Sequence, residues 1–573
     1  MQAGHPVYDV LIAGGGLAGQ CLARQLKLSR PELSVAVVDR ERRPLPEAAF
    51  KVGEATSELG AHYLAAKLQL GDYLHQQQLV KNGLRFFFGD ARLPLEQRPE
   101  YGPRDFPPVT SFQLDRGRLE NHLRGLNQDA GVTLLEGFAV EEIVLGEKDS
   151  PHTTVIRERD GTQSLSLRST WLADCSGRRR LLQQQLNLGL PSPLKHSAAW
   201  FRVAGECNVE HFVPAENRAW HDRVPGGIRY RSTNHLVGHG YWVWLIPLAS
   251  GHTSLGIVVD ERIHPIAKLS SFQQALAWLT LHEPVVARHL AGTRVLDFLV
   301  SREFSYDTRQ FYSADRWACV GEAAAFLDPF YSPGSDFIAL GNTMVTRLVT
   351  RHFAGTLTPA AVLQSDATLR LLQRAFTEVF RDHYPAFGHT RIMTAKVIWD
   401  NASYWVFVCQ AFFQDIYFQD EYLDRYLRAF EQFYRLNLRV QQLFRDWTAL
   451  GHDDAGYEYL GYADFPVAVR SHLELAQKKS PRRFLEWIEL NLDRFTAWGL
   501  VLYLIAVEEI APEKIDRLAM ETLDVESIDL QHIASTVPNS ASGRRNRLAS
   551  EISALKRQMR KLYPDRACLR ERA

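Results

Sequence analysis

The stretch Val7-Tyr8-Asp9-Val10-Leu11-Ile12-Ala13-Gly14-Gly15-Gly16-Leu17-Ala18-Gly19 decides the fold. Its first seven residues, apolar and rich in β-branched side chains, read as a buried parallel strand. They run directly into glycines whose positions 14, 16 and 19 fit GxGxxG. Gln20 to Leu28 suits a helix. Ser34 to Val38 reads as a second strand ending at Asp39, 20 residues beyond Gly19. Strand, glycine turn, helix, strand and acid in this order form a dinucleotide site. Gly14, Gly16 and Gly19 let the backbone approach a pyrophosphate. The helix N-terminus offers it unpaired N–H groups, and Asp39 would accept from ribose hydroxyls. No second GxGxxG follows a strand, which argues weakly against a dedicated nicotinamide domain.

The chain has 573 residues, 46% hydrophobic and 23% charged, room for more than one globular domain. Lys+Arg and Asp+Glu number 66 each, so no charge excess points to nucleic acid or a membrane surface. The 12 Trp, 20 Tyr and 30 Phe supply cores and also pockets for flat ligands. Cys21, Cys175, Cys207, Cys319, Cys409 and Cys568 are scattered without metal-type spacing and read as reduced thiols. No metal site is expected. The first residues do not resemble a signal peptide. The longest apolar run, Trp498 to Val507, is 10 residues, against about 20 for a membrane span. A cytoplasmic protein without a membrane span is the expectation.

Trp242-Val243-Trp244-Leu245-Ile246-Pro247 is the other informative stretch. In a strand both indoles point to one face, and Pro247 ends the pairing. Alone, the pattern fits a core strand as well as a pocket wall. Four further segments accompany it: Val52-Gly53-Glu54-Ala55-Thr56, Lys81-Asn82-Gly83, Leu172 to Arg178 with its Asp-Cys-Ser-Gly, and Trp317 to Ala324 with Gly321-Glu322-Ala323. A fifth, Phe326-Leu327-Asp328-Pro329-Phe330-Tyr331-Ser332-Pro333-Gly334, fits FxxPxxSxG. Together these resemble the flavin-dependent halogenases, within the p-hydroxybenzoate-hydroxylase-like FAD superfamily. They are closer to the branch acting on phenols and pyrroles than to the tryptophan halogenases.

The resemblance implies FAD, with FADH2 supplied by a separate flavin reductase, held by Gly14, Gly16, Gly19, Asp39, Glu54, Glu322 and Asp328. It implies that hypohalous acid, made from halide, oxygen and reduced flavin, reaches Lys81, the catalytic residue. Trp242 and Trp244 would partition flavin from substrate, and Ser332 and Gly334 would lie at the halide site. The implied substrate is an electron-rich phenol or pyrrole, free or tethered to an acyl carrier protein, in secondary metabolism. Two departures stand out. Tyr331 occupies the place where tryptophan halogenases carry a glutamate. Pro333 occupies a place where a backbone N–H would hold halide, and proline has none. The second departure keeps open a halide-independent FAD monooxygenase, oxidase or dehydrogenase on this fold. The helical tail suggests a third reading, a non-catalytic flavin-binding partner in a biosynthetic complex.

The expected architecture is α/β. A Rossmann-like FAD domain spans 1–355, interleaved with an antiparallel substrate sheet at about 84–115 and 197–303. A mainly helical domain spans 356–573. Tyr404 to Trp447 holds few helix breakers, and Phe412 to Phe418 suggests a helix with a broad apolar face. From Arg544 to Arg572 there are ten Lys/Arg and three acids, with Ile552, Leu555, Met559 and Leu562 at helical spacing. This tail reads as a solvated surface helix or, more sharply, as a docking surface for an acidic carrier protein.

Overall fold

The computed structural model describes residues 7–47, 51–451, 457–515, 523–535, 549–560 and 562. Val7–Ala13 forms the expected strand, Leu17–Ser29 the helix, and Val35–Asp39 the second strand. Val7–Ala13 lies between Val35–Asp39 and Ser164–Asp174, parallel to both. Thr133–Glu136 extends the sheet in parallel beyond Val35–Asp39. On the other side, the C-terminal end of Ser164–Asp174 pairs in parallel with Trp317–Cys319, and its N-terminal part pairs antiparallel with His152–Glu158. Ser176 and Glu322 thus follow neighbouring strand ends, beside the glycine turn that follows Ala13, where open α/β sheets bind ligands.

The second sheet has eight strands in the order Val295–Ser301, His196–Ala204, His252–Asp260, Tyr241–Pro247, Thr233–Gly238, Leu84–Phe87, Glu100–Gly102 and Tyr459–Gly461. Both of its faces are buried, which is why Tyr241–Pro247 is apolar at every position. Trp242, Trp244 and Ile246 join the main core, whereas Tyr241, Val243 and Leu245 join a second cluster with Trp278 and Leu279 beneath the helix Phe272–His282.

Three expectations are corrected. The sheet is not wholly antiparallel: Thr233–Gly238 runs parallel to Leu84–Phe87, and Glu100–Gly102 parallel to Tyr459–Gly461, a strand from the helical part of the chain. Ser111–Gln113 is not in this sheet and instead pairs with Leu79–Lys81. Lastly, Phe412–Phe418 is not one helix. Gln410–Phe413 ends there, Asp415 takes a left-handed φ of 58°, and a short 3-10 turn follows at Ile416–Phe418. Aspartate tolerates that conformation, and the long helix Asp420–Leu450 starts afterwards.

The helices Pro359–Phe380, Thr390–Tyr404, Asp420–Leu450 and Pro481–Ile510 share one continuous core with the glycine-turn sheet, from Val10 to Leu562. Pro481–Ile510 is long and apolar enough to cross a membrane, but 67% of its most apolar window is buried inside the protein. The tail helix Ala549–Met559 packs on it, with Leu555, Met559 and Leu562 buried. That helix is therefore docked on one face rather than solvated all round; Lys561, Arg566, Cys568, Arg570 and Arg572 lie outside the described residues.

Candidate active site

The three glycines have distinct geometric reasons. Gly14 has φ 113°, and a Cβ there would lie 2.3 Å from the Cys175 carbonyl oxygen. A Cβ at Gly19 would lie 1.9 Å from the Gly14 oxygen, so the helix packs directly on the turn. A Cβ at Gly16 would meet nothing within 4 Å, because Gly16 borders a cavity of about 420 Å³. Gly16, Leu17 and Ala18 line that cavity, as do Trp242, Trp244 and the 332–335 turn. A cavity bordered both by the start of a helix and by aromatic rings suits the pyrophosphate and the flat ring of a flavin dinucleotide.

The acids assigned to this cofactor are not equivalent. Glu322 lines the cavity and accepts from Arg178 Nε at 3.0 Å, both side chains being partly exposed. Asp39 is ion-paired with Arg124, which also donates to the Gly15 oxygen at 3.1 Å and to Glu136 at 2.7 Å. Arg124 thereby ties the acid to the back of the glycine turn. Glu54 borders the cavity, but its carboxylate accepts from Arg202 Nε at 2.7 Å. Asp328 accepts from Tyr384 Oη at 2.6 Å, from the Phe330 N–H at 2.9 Å, and pairs with His196 Nδ1 at 2.7 Å. Asp328, like Glu54, also lines the cavity, and both carboxylates are engaged by protein partners as well.

Trp242 and Trp244 are 2% and 3% exposed, with ring centroids 5.6 Å apart. Trp242 Nε1 donates to Tyr384 Oη at 2.8 Å, and Trp244 Nε1 to Ser254 Oγ at 3.2 Å. Phe330 meets Trp242 edge-on at 5.1 Å.

Lys81 lies in a second, smaller cavity of about 100 Å³, with Tyr101, Tyr331, Phe376, Phe380 and Trp405. Its lining is mainly aromatic and apolar. Lys81 is 3% exposed and donates to the Thr56 carbonyl at 2.8 Å. Burial lowers its pKa to about 8, against the pull of Glu58 and Asp336.

One turn divides the two cavities. Ser332, Pro333, Gly334, Ser335 and Phe337 border the larger, whereas Tyr331 and Asp336 border the smaller. Ser332 holds a left-handed φ of 60°, and Pro333 caps the helix Gly334–Phe353. The first-turn N–H groups of Gly334 and Ser335 have no intrahelical acceptor. The tryptophans border only the larger cavity and Tyr331 only the smaller, and the Phe330 ring packs against both Trp242 and Tyr331.

Several residues of the smaller cavity carry no sequence signal. Asp336 accepts from Ser57 Oγ, from the Gly60 N–H at 2.9 Å and from Tyr404 Oη at 2.9 Å, and burial raises its carboxyl to about 7. Asp400, paired with buried Lys396, accepts from Tyr331 Oη at 3.0 Å and from Gln441 Nε2 at 2.7 Å. Burial raises the Asp400 pKa and lowers that of Lys396. A carboxylate thus reaches the Tyr331 position from a distant helix. Trp405 and Val408 enter through a π-helical turn at Trp405–Cys409, a feature frequent at functional sites.

The chain is similar to known proteins. The model of the tryptophan halogenase family matches residues 104–392. A flavin-dependent halogenase (chlA) of Dictyostelium discoideum is 26% identical, over 71% of this chain and 70% of its own. The 1H-pyrrole-2-carbonyl-[peptidyl-carrier protein] chlorinase of Pseudomonas fluorescens is 24% identical over 57% of this chain and 72% of its own. Among solved structures, that of the halogenase PltM superposes with a TM-score of 0.62 at 16% identity, covering 84% of this chain and 96% of that one. The last likeness is one of fold and extends into the helical part.

Proposed function

Because this chain belongs to the tryptophan halogenase family, we propose that it is a flavin-dependent halogenase with FAD in the larger cavity and an electron-rich aromatic beside Lys81. Reduced by a separate flavin reductase, FAD supplies, with O2, the oxidising power that converts chloride or bromide to hypohalous acid. The chain's own residues do the rest. Gly16 to Ala18 receive the pyrophosphate, and Glu322 faces the ribityl chain. The N–H groups of Gly334 and Ser335 take over halide binding where Pro333 has none. The indoles keep the aromatic away from the cofactor side, which suppresses direct hydroxylation. One Lys81 N–H is used on the Thr56 carbonyl, leaving two for hypohalous acid. With its pKa near 8, Lys81 is mostly an ammonium at neutral pH and can protonate the departing hydroxide. The substrate is a phenol or pyrrole of secondary metabolism, free or carrier-bound.

The observation that carries this reading is the single turn from Tyr331 to Asp336, which puts a helix N-terminus on one cavity and the lysine-bearing chamber on the other. The experiment is turnover of a phenol and pyrrole panel with FAD, a flavin reductase, nicotinamide cofactor and bromide, read by mass spectrometry. Brominated product that disappears in Lys81→Ala, with FAD affinity kept, is the expected result. Full bromination by Lys81→Ala refutes the lysine's role.

Pro333 favours a second reading, a flavin-dependent monooxygenase, oxidase or dehydrogenase that uses no halide. A missing hydrogen bond to an anion costs on the order of 1.5–3 kcal/mol. Oxidised product formed equally with and without bromide selects that reading.

A further inference from the structure

Each of the two tryptophans is tethered by a hydroxyl that accepts from its indole N–H. Trp242 donates to Tyr384 Oη at 2.8 Å, and Tyr384 donates to Asp328 at 2.6 Å. Trp244 donates to Ser254 Oγ at 3.2 Å. The Trp242 chain runs one way: indole N–H, then a hydroxyl, then a buried carboxylate, which pairs with His196. The indole has one donor and no acceptor, so each ring has one orientation that satisfies it. Because the Tyr384 proton is committed to Asp328, its hydroxyl oxygen faces the indole as an acceptor.

The backbone adds a constraint. Trp244 pairs across the sheet with Gly256, and a Cβ at 256 would lie 2.1 Å from Trp244 Cη2. The outer indole ring therefore lies in the space left by the missing side chain.

We propose that Tyr384 and Ser254 are positioning residues that lock the two indoles as a fixed wall of the larger cavity, Tyr384 held in turn by buried Asp328 and Ser254 as the direct acceptor of the Trp244 N–H. The role rests on the flavin reading of that cavity for its consequence, but the locking itself does not. A locked wall keeps the oxidant on the cofactor side until it passes the turn. A loosened one opens direct contact between substrate and oxidant, giving hydroxylated product, or lets the oxidant escape as hydrogen peroxide.

The test uses the full chain labelled with 5-fluorotryptophan, with the two resonances assigned by Trp242→Phe and Trp244→Phe. Tyr384→Phe and Ser254→Ala each remove one hydroxyl. Ser254→Thr keeps a hydroxyl and serves as the rescue. In the cofactor-free protein, Ser254→Ala shifts and broadens the Trp244 resonance, Tyr384→Phe does so for Trp242, and Ser254→Thr restores the first. In the flavin-loaded enzyme, the ratio of halogenated product to hydrogen peroxide plus hydroxylated product falls roughly two- to tenfold, the span of one ordinary hydrogen bond. Unchanged resonances in both hydroxyl-less variants overturn the locking. Altered resonances with an unchanged product ratio overturn its role in the reaction. If the wild-type enzyme gives no halogenated product, the halogenase reading falls, while the fluorine resonances still decide whether the hydroxyls hold the rings.

Discussion

Gly256→Ala tests the wall with one methyl group. An ideal Cβ at position 256 falls 2.1, 2.2 and 2.4 Å from Trp244 Cη2, Cζ2 and Cζ3. Carbon atoms rest at about 3.5–4.0 Å, so the ring must retreat by roughly 1.5 Å. The strand behind it is held between Thr233–Gly238 and His252–Asp260, so the ring moves into the larger cavity. Overpacking of this kind costs about 1–3 kcal/mol, and the movement also stretches the 3.2 Å bond to Ser254. If 1–2 kcal/mol of that falls on the bound state, the FAD dissociation constant rises roughly five- to thirtyfold. The assay is FAD titration with the wild type, Gly256→Ala, Trp244→Ala and the double variant, with urea unfolding in parallel. Trp244→Ala removes the three clashing atoms, so the alanine at 256 should cost little there, and the cycle should show a coupling of about 1–3 kcal/mol. An additive cycle, or an unchanged FAD affinity in Gly256→Ala, refutes the reasoning.

Three further outcomes are expected. Lys81 titrates near 10.5 when unfolded and near 8 when folded, so the unfolded chain holds more protons between those values; the stability difference between wild type and Lys81→Met should therefore move toward the wild type from pH 8 to 10.5, by up to about 3 kcal/mol, in urea midpoints. Asp336 titrates near 7 when folded and 3.8 when unfolded, so its site gains stability as pH falls from 7 toward 4, and that slope should vanish in Asp336→Asn. Asp400→Ala leaves Lys396 buried without its partner and should cost about 3–5 kcal/mol in chemical unfolding, whereas Asp400→Leu with Lys396→Met should cost far less.

Much of the cofactor half was legible because its signals are local. The glycine turn needs small residues at set spacing, and the strand that precedes it announces itself by composition. The same-face indoles follow from the two-residue period of a strand, and Pro333 follows from chemistry alone. The smaller cavity was not legible. Its aromatic wall comes from helices that start far along the chain, where Phe376, Trp405 and Phe433 read as ordinary core residues. The break at Asp415 was missed because a single aspartate in a left-handed conformation leaves no periodicity to detect.

Glu54 and Asp328 mark the boundary between the two kinds of knowledge. By itself the sequence determined that acids stand in flavin-associated motifs, that a strand carries two indoles on one face, and that a lysine precedes a glycine turn. Only the tertiary structure decided what those acids face, because a carboxylate's partner is set by which strands and helices arrive beside it. Arg202, His196 and Tyr384 arrive from elsewhere in the chain and engage the two carboxylates. Spacing along the chain encodes the backbone's local conformation, whereas a buried polar group is satisfied by whatever the fold brings within about 3 Å.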